Sequence, residues 1–285
     1  MKPWTISINT SIPTTLKNPG KDGGGCLKKN NMTEEIVSAH QCNACGVSLH
    51  PDDVICPQCG EPSMPPEEWE GAYERYRLMV VIFFSINLFV CLLFNFWPPA
   101  GETITGLVLV DGFLLSCGLF FAYLLWDEIK PLLRWNNFAW WRLILLILLA
   151  ICAAILVNYG VKWINERIFE RELYYYSSFS HLAFPKLTMF LMIALIPAFS
   201  EELAYRGIIQ AGLLKIMHGR QAVVITALLF AIIHMSLISF IWLLPFALFL
   251  GWLRQRMNTL WYGVVIHFCF NATTCLIELY ELGLV

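Results

Sequence analysis

Glu201 and Glu202 stand side by side, and Arg206 follows Glu202 by four residues. His234 follows Phe230 by the same interval, and Asn271 follows His267. All of them fall in strongly apolar stretches of the chain. Ionisable side chains are costly in lipid, so such groups face a bundle interior and mark a functional site. A carboxylate in an apolar pocket gains proton affinity and can act as a general base or acid near neutral pH. Adjacent helical residues point about 100° apart, so the two glutamates cannot do the same job. Glu202 and Arg206 share a face, which lets the guanidinium neutralise Glu202 and leaves Glu201 free. His267 and Asn271 also share a face and can hold a water or polarise a carbonyl oxygen. Together these groups suit the activation of a water within a membrane.

Plainer readings exist for each. Ser200 follows Pro197 and could cap a new helix with two acids in its first turn. That accounts for the glutamates and leaves the histidines unexplained. A single histidine such as His234 can be a satisfied core residue. His267 and Asn271 can fasten one helix to another. Asp111 has no partner motif; it is either structural or borders a polar cavity. Asn87, Asn95 and Asn158 read as packing or interfacial residues.

The elements that must position these groups are membrane helices. The chain has 285 residues, 58% of them hydrophobic and 14% charged. Soluble proteins carry about 25% charged residues. Seven apolar segments appear, at roughly 78–97, 104–126, 138–161, 182–200, 221–239, 241–253 and 260–280. A spanning helix needs about 20 residues. The sixth segment is short and interrupted by Pro245, so it is expected to be tilted or half-buried. Residues 201–217 either continue the fourth segment or form a separate helix. The fold class expected is all-α, a polytopic membrane bundle of seven or eight transmembrane segments preceded by a small zinc ribbon. No internal repeat is visible, which argues against a transporter built from duplicated halves. One difficulty remains: with these segments Glu201 and His267 lie about 10 Å from one membrane face and His234 about 20 Å, at 1.5 Å per residue.

Cation placement sets the expected orientation. With the N-terminus inside, Lys130, Arg134, Arg142, Lys215, Arg220, Arg254 and Arg256 fall in or beside inside loops, and only Lys162, Arg167, Arg171 and Lys186 fall outside. A multi-pass protein of a bacterial inner membrane, with a cytoplasmic N-terminus, is expected.

Residues 1–40 read as a flexible tail, 41–60 as a zinc ribbon, 61–77 as a linker and 78–285 as the membrane bundle. Cys42, Cys45, Cys56 and Cys59 form two Cys-x-x-Cys-Gly knuckles ten residues apart. Four thiolates can close a tetrahedral Zn²⁺ site, and a module this small has no other source of stability. His40 and His50 flank it as alternative ligands. A thiolate site needs a reducing compartment, in agreement with the orientation above. Cys91, Cys117, Cys152, Cys269 and Cys275 lie in apolar segments and read as small hydrophobes. No signal peptide is evident, because the first apolar run begins near Leu78. A net charge of −2 and the lack of a basic stripe argue against nucleic acid.

The series Glu-Glu-x-x-x-Arg, Phe-x-x-x-His and His-x-x-x-Asn resembles the CPBP family of intramembrane proteases, which includes CAAX prenyl proteases and abortive-infection proteins. The resemblance covers about residues 180–280, and the ribbon lies outside it. It implies an intramembrane endopeptidase acting on a protein or peptide substrate in membrane lipid. Glu201 with His234 would activate water, His267 and Asn271 would stabilise the oxyanion, and Glu202 with Arg206 would hold the site in shape. A catalytic metal on Glu and His ligands is the less favoured form of this chemistry. The alternatives are a proton-coupled transporter and a membrane-anchored scaffold whose ribbon binds a cytoplasmic protein.

Overall fold

A computed structural model describes residues 40–42, 44–49, 55–56, 59, 61, 63, 66–96, 103–135, 138–168 and 174–285. Nearly all of the expected tail, and His50, Gly60 and Arg171, lie outside the described residues. Two-residue strands β1 (His40–Gln41) and β2 (Ser48–Leu49) pair antiparallel, with His40 opposite Leu49. The long helices are α1 (Pro66–Phe96), α2 (Ile104–Leu124), α3 (Trp140–Ile168), α4 (Pro185–Ile216), α5 (Gly219–Ile233), α6 (Leu237–Met257) and α7 (Trp261–Glu281), with short helical turns at Trp126–Ile129, Lys130–Leu133 and Tyr176–Phe179. α1 begins at Pro66, inside the stretch read as a linker. Six of the seven are long and apolar enough to cross a membrane, and α5 is the shorter one.

α4 is the hub. Every residue from 202 to 213 is buried. α1, α2 and α3 instead carry exposed Phe89, Leu109, Phe120, Leu145 and Leu156, as lipid-facing helices do. A Cβ on Gly212 of α4 would meet the Val80 side chain of α1 at 2.7 Å, so the glycine sets how closely α1 packs.

α4 is also not a plain α-helix. It widens into π-helix at Phe190–Leu195 and again at Glu202–Ile209. π turns are rare and concentrate at functional sites. The helix runs unbroken through Ser200, whose hydroxyl donates to the Pro197 carbonyl at 3.4 Å. No helix restarts there, so the acids do not stand in a first turn.

Two boundaries differ from the sequence expectation. The fifth segment stops at Ile233, because Met235 takes a positive φ of 48° and turns the chain. The sixth gains those residues: Ser236 caps α6 by accepting from the Ser239 N–H, and α6 then runs through Pro245. The difficulty of depth eases for Glu201 and His234 because α4 continues to Ile216, while His267, six residues into α7, still counts as about 9 Å deep at the usual rise and meets Glu201 all the same. Glu201 lies about 15 residues from the end of α4, and His234 about 15 from the start of α5, both about 22 Å at the usual rise.

Polar contacts outside the site also tie the segments together. The Leu132 carbonyl accepts from the Leu260 N–H (2.9 Å) and the Thr259 hydroxyl (3.2 Å), and Trp261 Nε1 donates to the Leu133 carbonyl at 2.7 Å. Lys162 pairs with Glu281 at 3.2 Å, and Lys186 Nζ donates to the Leu284 carbonyl.

Candidate active site

Glu201 closes a stretch of α-helix and Glu202 opens the wider π turn. Glu202 and Arg206 are 1% and 0% exposed, and Glu202 Oε1 lies 2.9 Å from Arg206 Nη1. The pair is close without being aligned as a hydrogen bond, so Nη1 and Nε have no hydrogen-bond partner among the described residues. Arg206 Nη2 donates to the Ala247 carbonyl at 3.3 Å, and the guanidinium stacks 4.7 Å from the centre of the Phe230 ring. α6 grips this turn from its own side: Arg254 Nε donates to the Arg206 carbonyl at 3.1 Å, and Gln210 Nε2 donates to the Gly251 carbonyl at 2.9 Å.

His267, on α7, bridges the two glutamates. Its Nδ1 lies 3.2 Å from Glu202 Oε1 and its Nε2 lies 3.8 Å from Glu201 Oε2. Phe246 packs edge-on against the ring at 5.5 Å and Phe230 at 6.1 Å. Gly263, one turn before His267, makes room for Glu202: a Cβ there would come within 2.5 Å of Glu202 Oε2.

His234 caps the C-terminal end of α5. Its Nδ1 lies 2.8 Å from the Phe230 carbonyl, an acceptor, so Nδ1 is the donor and Nε2 is left outside that bond. It makes no ion pair within 4.0 Å with either glutamate. It joins them through the Phe230 ring, 4.8 Å away, which Tyr205 also meets at 5.0 Å.

Asn271 donates to the Ile193 carbonyl at 3.1 Å. That carbonyl stands four residues before Pro197, which has no N–H to offer it. The amide fills the gap with one N–H and retains a second donor.

The structure therefore gathers Glu201, Glu202, Arg206 and His267 directly, His234 through Phe230, and Asn271 through the first π turn. Sequence reasoning missed Gly263 and Gln210. Both sit one helical turn from a residue it named, Gly263 before His267 and Gln210 after Arg206. It read Arg254 only as a flanking cation, whereas the side chain is buried and bonds to the site's own backbone.

In the ribbon, Cys42 and Cys59 sulfurs are 3.5 Å apart, as are those of Cys45 and Cys56, and all four lie within 4.8 Å of one another. This is too long for disulfides, near 2.05 Å. It is close to the roughly 3.8 Å that tetrahedral thiolates at 2.3 Å from a metal would show. Gly46 has the positive φ of 72° that the first knuckle needs, and its N–H donates to the Cys42 carbonyl at 2.8 Å. Without a cation the cluster resists ionisation. The backbone hydrogen bond at Glu61 lowers the Cys59 value, but desolvation and the neighbouring thiols outweigh it and push it up to about 12. A bound cation would reverse that. The four cysteines form the one converging set of three or more metal-ligating side chains among the described residues.

A multi-pass helical membrane protein with acids, histidines and an arginine buried around one α4 turn is the class defined by this fold and site. Residues 183–273, about a third of the chain, match the family model of the Type II CAAX prenyl endopeptidase Rce1-like proteins, a family of proteases. The matched segment contains all three motifs, so the family resemblance holds there. No curated protein and no solved structure matches the chain.

Proposed function

We propose that the chain is an intramembrane endopeptidase that hydrolyses a peptide bond with a water activated by Glu201. The observation that carries this reading is the division of labour between the glutamates. Glu202 is committed to Arg206 and His267, while Glu201 Oε2 is buried with no hydrogen-bond partner among the described residues. A carboxylate held this way can take a proton from water as the water oxygen bonds to the scissile carbon. His234, whose Nε2 lies outside the Nδ1 hydrogen bond, is the second basic group. His267, held between the two glutamates, is a donor for the developing oxyanion in this reading. The second N–H of Asn271 is the other donor. When the tetrahedral intermediate collapses, the proton on Glu201 passes to the leaving nitrogen.

The reading takes the metal-free form of this chemistry, because Asn271 suits an oxyanion donor better than a metal ligand. The metal in our reading is structural: Zn²⁺ in the ribbon, on Cys42, Cys45, Cys56 and Cys59, with the N-terminus on the cytoplasmic side. The domain limits given above belong to the same reading, with the tail and ribbon outside the catalytic bundle.

The test compares new protein termini in membranes from cells expressing wild type or Glu201→Gln. Termini found only with wild type are expected. Identical termini, with both proteins inserted and folded, would overturn the reading and favour a transporter or scaffold.

A further inference from the structure

Arg254, on the last turn of α6, is a buried cation with no carboxylate partner among the described residues. Burying a charge is costly unless other contacts offset it. Its Nε donates instead to a backbone carbonyl of the site, that of Arg206, at 3.1 Å. That carbonyl has a particular need. In α-helix the carbonyl of a residue meets the N–H four places on, and in π-helix the N–H five places on. The Gln210 N–H, four places after Arg206, goes to the Tyr205 carbonyl, because the wide turn still holds there. α-Helix resumes at Gln210, so the Ala211 N–H, five places after Arg206, belongs to Gly207. The Arg206 carbonyl falls between the two patterns and meets no N–H of α4. A buried carbonyl without a donor is rare and costly. Arg254 supplies that donor.

α6 reaches the same turn at two more points. Arg206 Nη2 donates to the Ala247 carbonyl at 3.3 Å, and Gln210 Nε2 donates to the Gly251 carbonyl at 2.9 Å. Ala247, Gly251 and Arg254 are spaced four and three apart, and so share one face of α6. Gly251 lets that face come close: a Cβ there would lie 3.2 Å from Val223 Cγ1 and 3.4 Å from Gln210 Oε1. Arg206, the partner of Glu202, is thus held by its side chain and by its backbone, from points on α6 about 10 Å apart at the usual rise. The first wide turn offers a parallel, since Asn271 donates to the Ile193 carbonyl that Pro197 leaves without an N–H.

We propose that Arg254 is a positioning residue: it pins the second wide turn of α4 at the register that turns Glu201, Glu202 and Arg206 toward His267. The extra residue of a π turn can be taken up one place earlier or later along a helix, and each place leaves a different carbonyl without an N–H. The present place sets that carbonyl against the Arg254 guanidinium, which favours it over the others. Moving the turn would change the bearing of the residues it passes. Arg254 touches no reacting atom. Its effect on catalysis rests on the peptidase reading; the pinning of the turn does not.

Arg206–Gly207 is the one Arg–Gly step in the sequence. Protein grown with carbonyl-¹³C arginine and ¹⁵N glycine therefore gives a single cross-peak in a carbonyl–amide NMR correlation, and that peak reports the Arg206 carbonyl. The samples are the full chain in lipid nanodiscs: wild type, Arg254→Met, Arg254→Lys and Arg256→Met. Arg254→Met should move the peak upfield in the carbonyl dimension, as loss of a hydrogen bond does. Arg254→Lys keeps the charge and the stem but puts carbon where Nε stood, so the peak should move here too. Arg256 is exposed on the same last turn, and Arg256→Met should leave the peak in place. A peak unmoved by the Arg254 variants overturns the proposal, as does an equal movement in Arg256→Met. Should Arg254→Met fail to fold, Arg254→Lys decides alone. Glu201-dependent cleavage is scored on the same variants. Corrected for folded protein, Arg254→Met should lower it on the order of 100-fold, the cost of a misplacement of about 1 Å. Wild-type cleavage with a moved peak would overturn the positioning role. A peak that moves as described, with no Glu201-dependent cleavage in the wild type, would sink the peptidase reading and leave the pinned turn standing.

Discussion

Gly263 sits against the carboxylate of Glu202 so closely that a single added carbon would lie 2.5 Å from Oε2. The carboxylate cannot swing aside without leaving Arg206 and His267, both of which contact Oε1. Gly263→Ala should therefore cost about 1–3 kcal/mol of stability, as overpacking usually does. It should also lower cleavage by more than the loss of folded protein explains. A thermal melt alongside a cleavage assay checks both; an unchanged melt would show that the helices can part there freely.

Among the described residues Arg206 is the guanidinium paired with Glu202, and neither side chain reaches solvent. Removing one partner of a buried pair costs about 3–5 kcal/mol, because the other charge is left unpaired. Arg206→Met should prevent accumulation of folded protein, and Glu202→Gln combined with it should recover much of the loss. Yield of monodisperse protein in detergent reads this directly. Failure of the double variant to improve on the single one would place the cost in packing against Phe230 instead.

Asn271 and Pro197 form a reciprocal pair through the Ile193 carbonyl. Asn271→Ala strands that carbonyl and should cost about 1–3 kcal/mol. Pro197→Ala returns a backbone N–H to the same position and should offset part of the cost, giving a non-additive double-mutant cycle. Additive losses would indicate that the carbonyl finds another donor.

The ribbon should carry one zinc per chain, measurable by elemental analysis, and Cys42→Ser or Cys56→Ser should remove it. Binding requires deprotonated thiols, so zinc should be released as the pH falls. Chelation should leave the melt of the membrane bundle unchanged. A shift of several degrees would instead tie the ribbon to the bundle.

The polar residues of the site were legible because each is expensive in lipid and each recurs at helical spacing. The seven apolar helices were legible for the same reason. The end of α5 was not: Met235 adopts a left-handed conformation without the glycine or asparagine that ordinarily announces one. Pro245 misled in the opposite sense, because a membrane helix tolerates proline where neighbours cover the freed carbonyl. Nothing local marks the π turns either. Their hydrogen bonds reach one residue further than usual, and which residues do so is decided by what α2, α6 and α7 press against α4. Arg254 was hidden by its position near a helix end, where an arginine is ordinarily a surface anchor.

The wide turns give α4 a property that a uniform rod lacks. Each π turn takes in an extra residue and so resets the angular phase of everything beyond it. The stretch before Phe190 and the stretch after Leu195 therefore need not share a common apolar stripe. Removing one residue from Phe190–Leu195 would let this turn close as plain α-helix, and the downstream half would keep nearly its present bearing. Removing one from a plain α stretch ahead of the glutamates would instead swing the acids by about 100° away from His267, with no side chain of the site altered. The π turn is thus a place where α4 can absorb a change of length without losing the site.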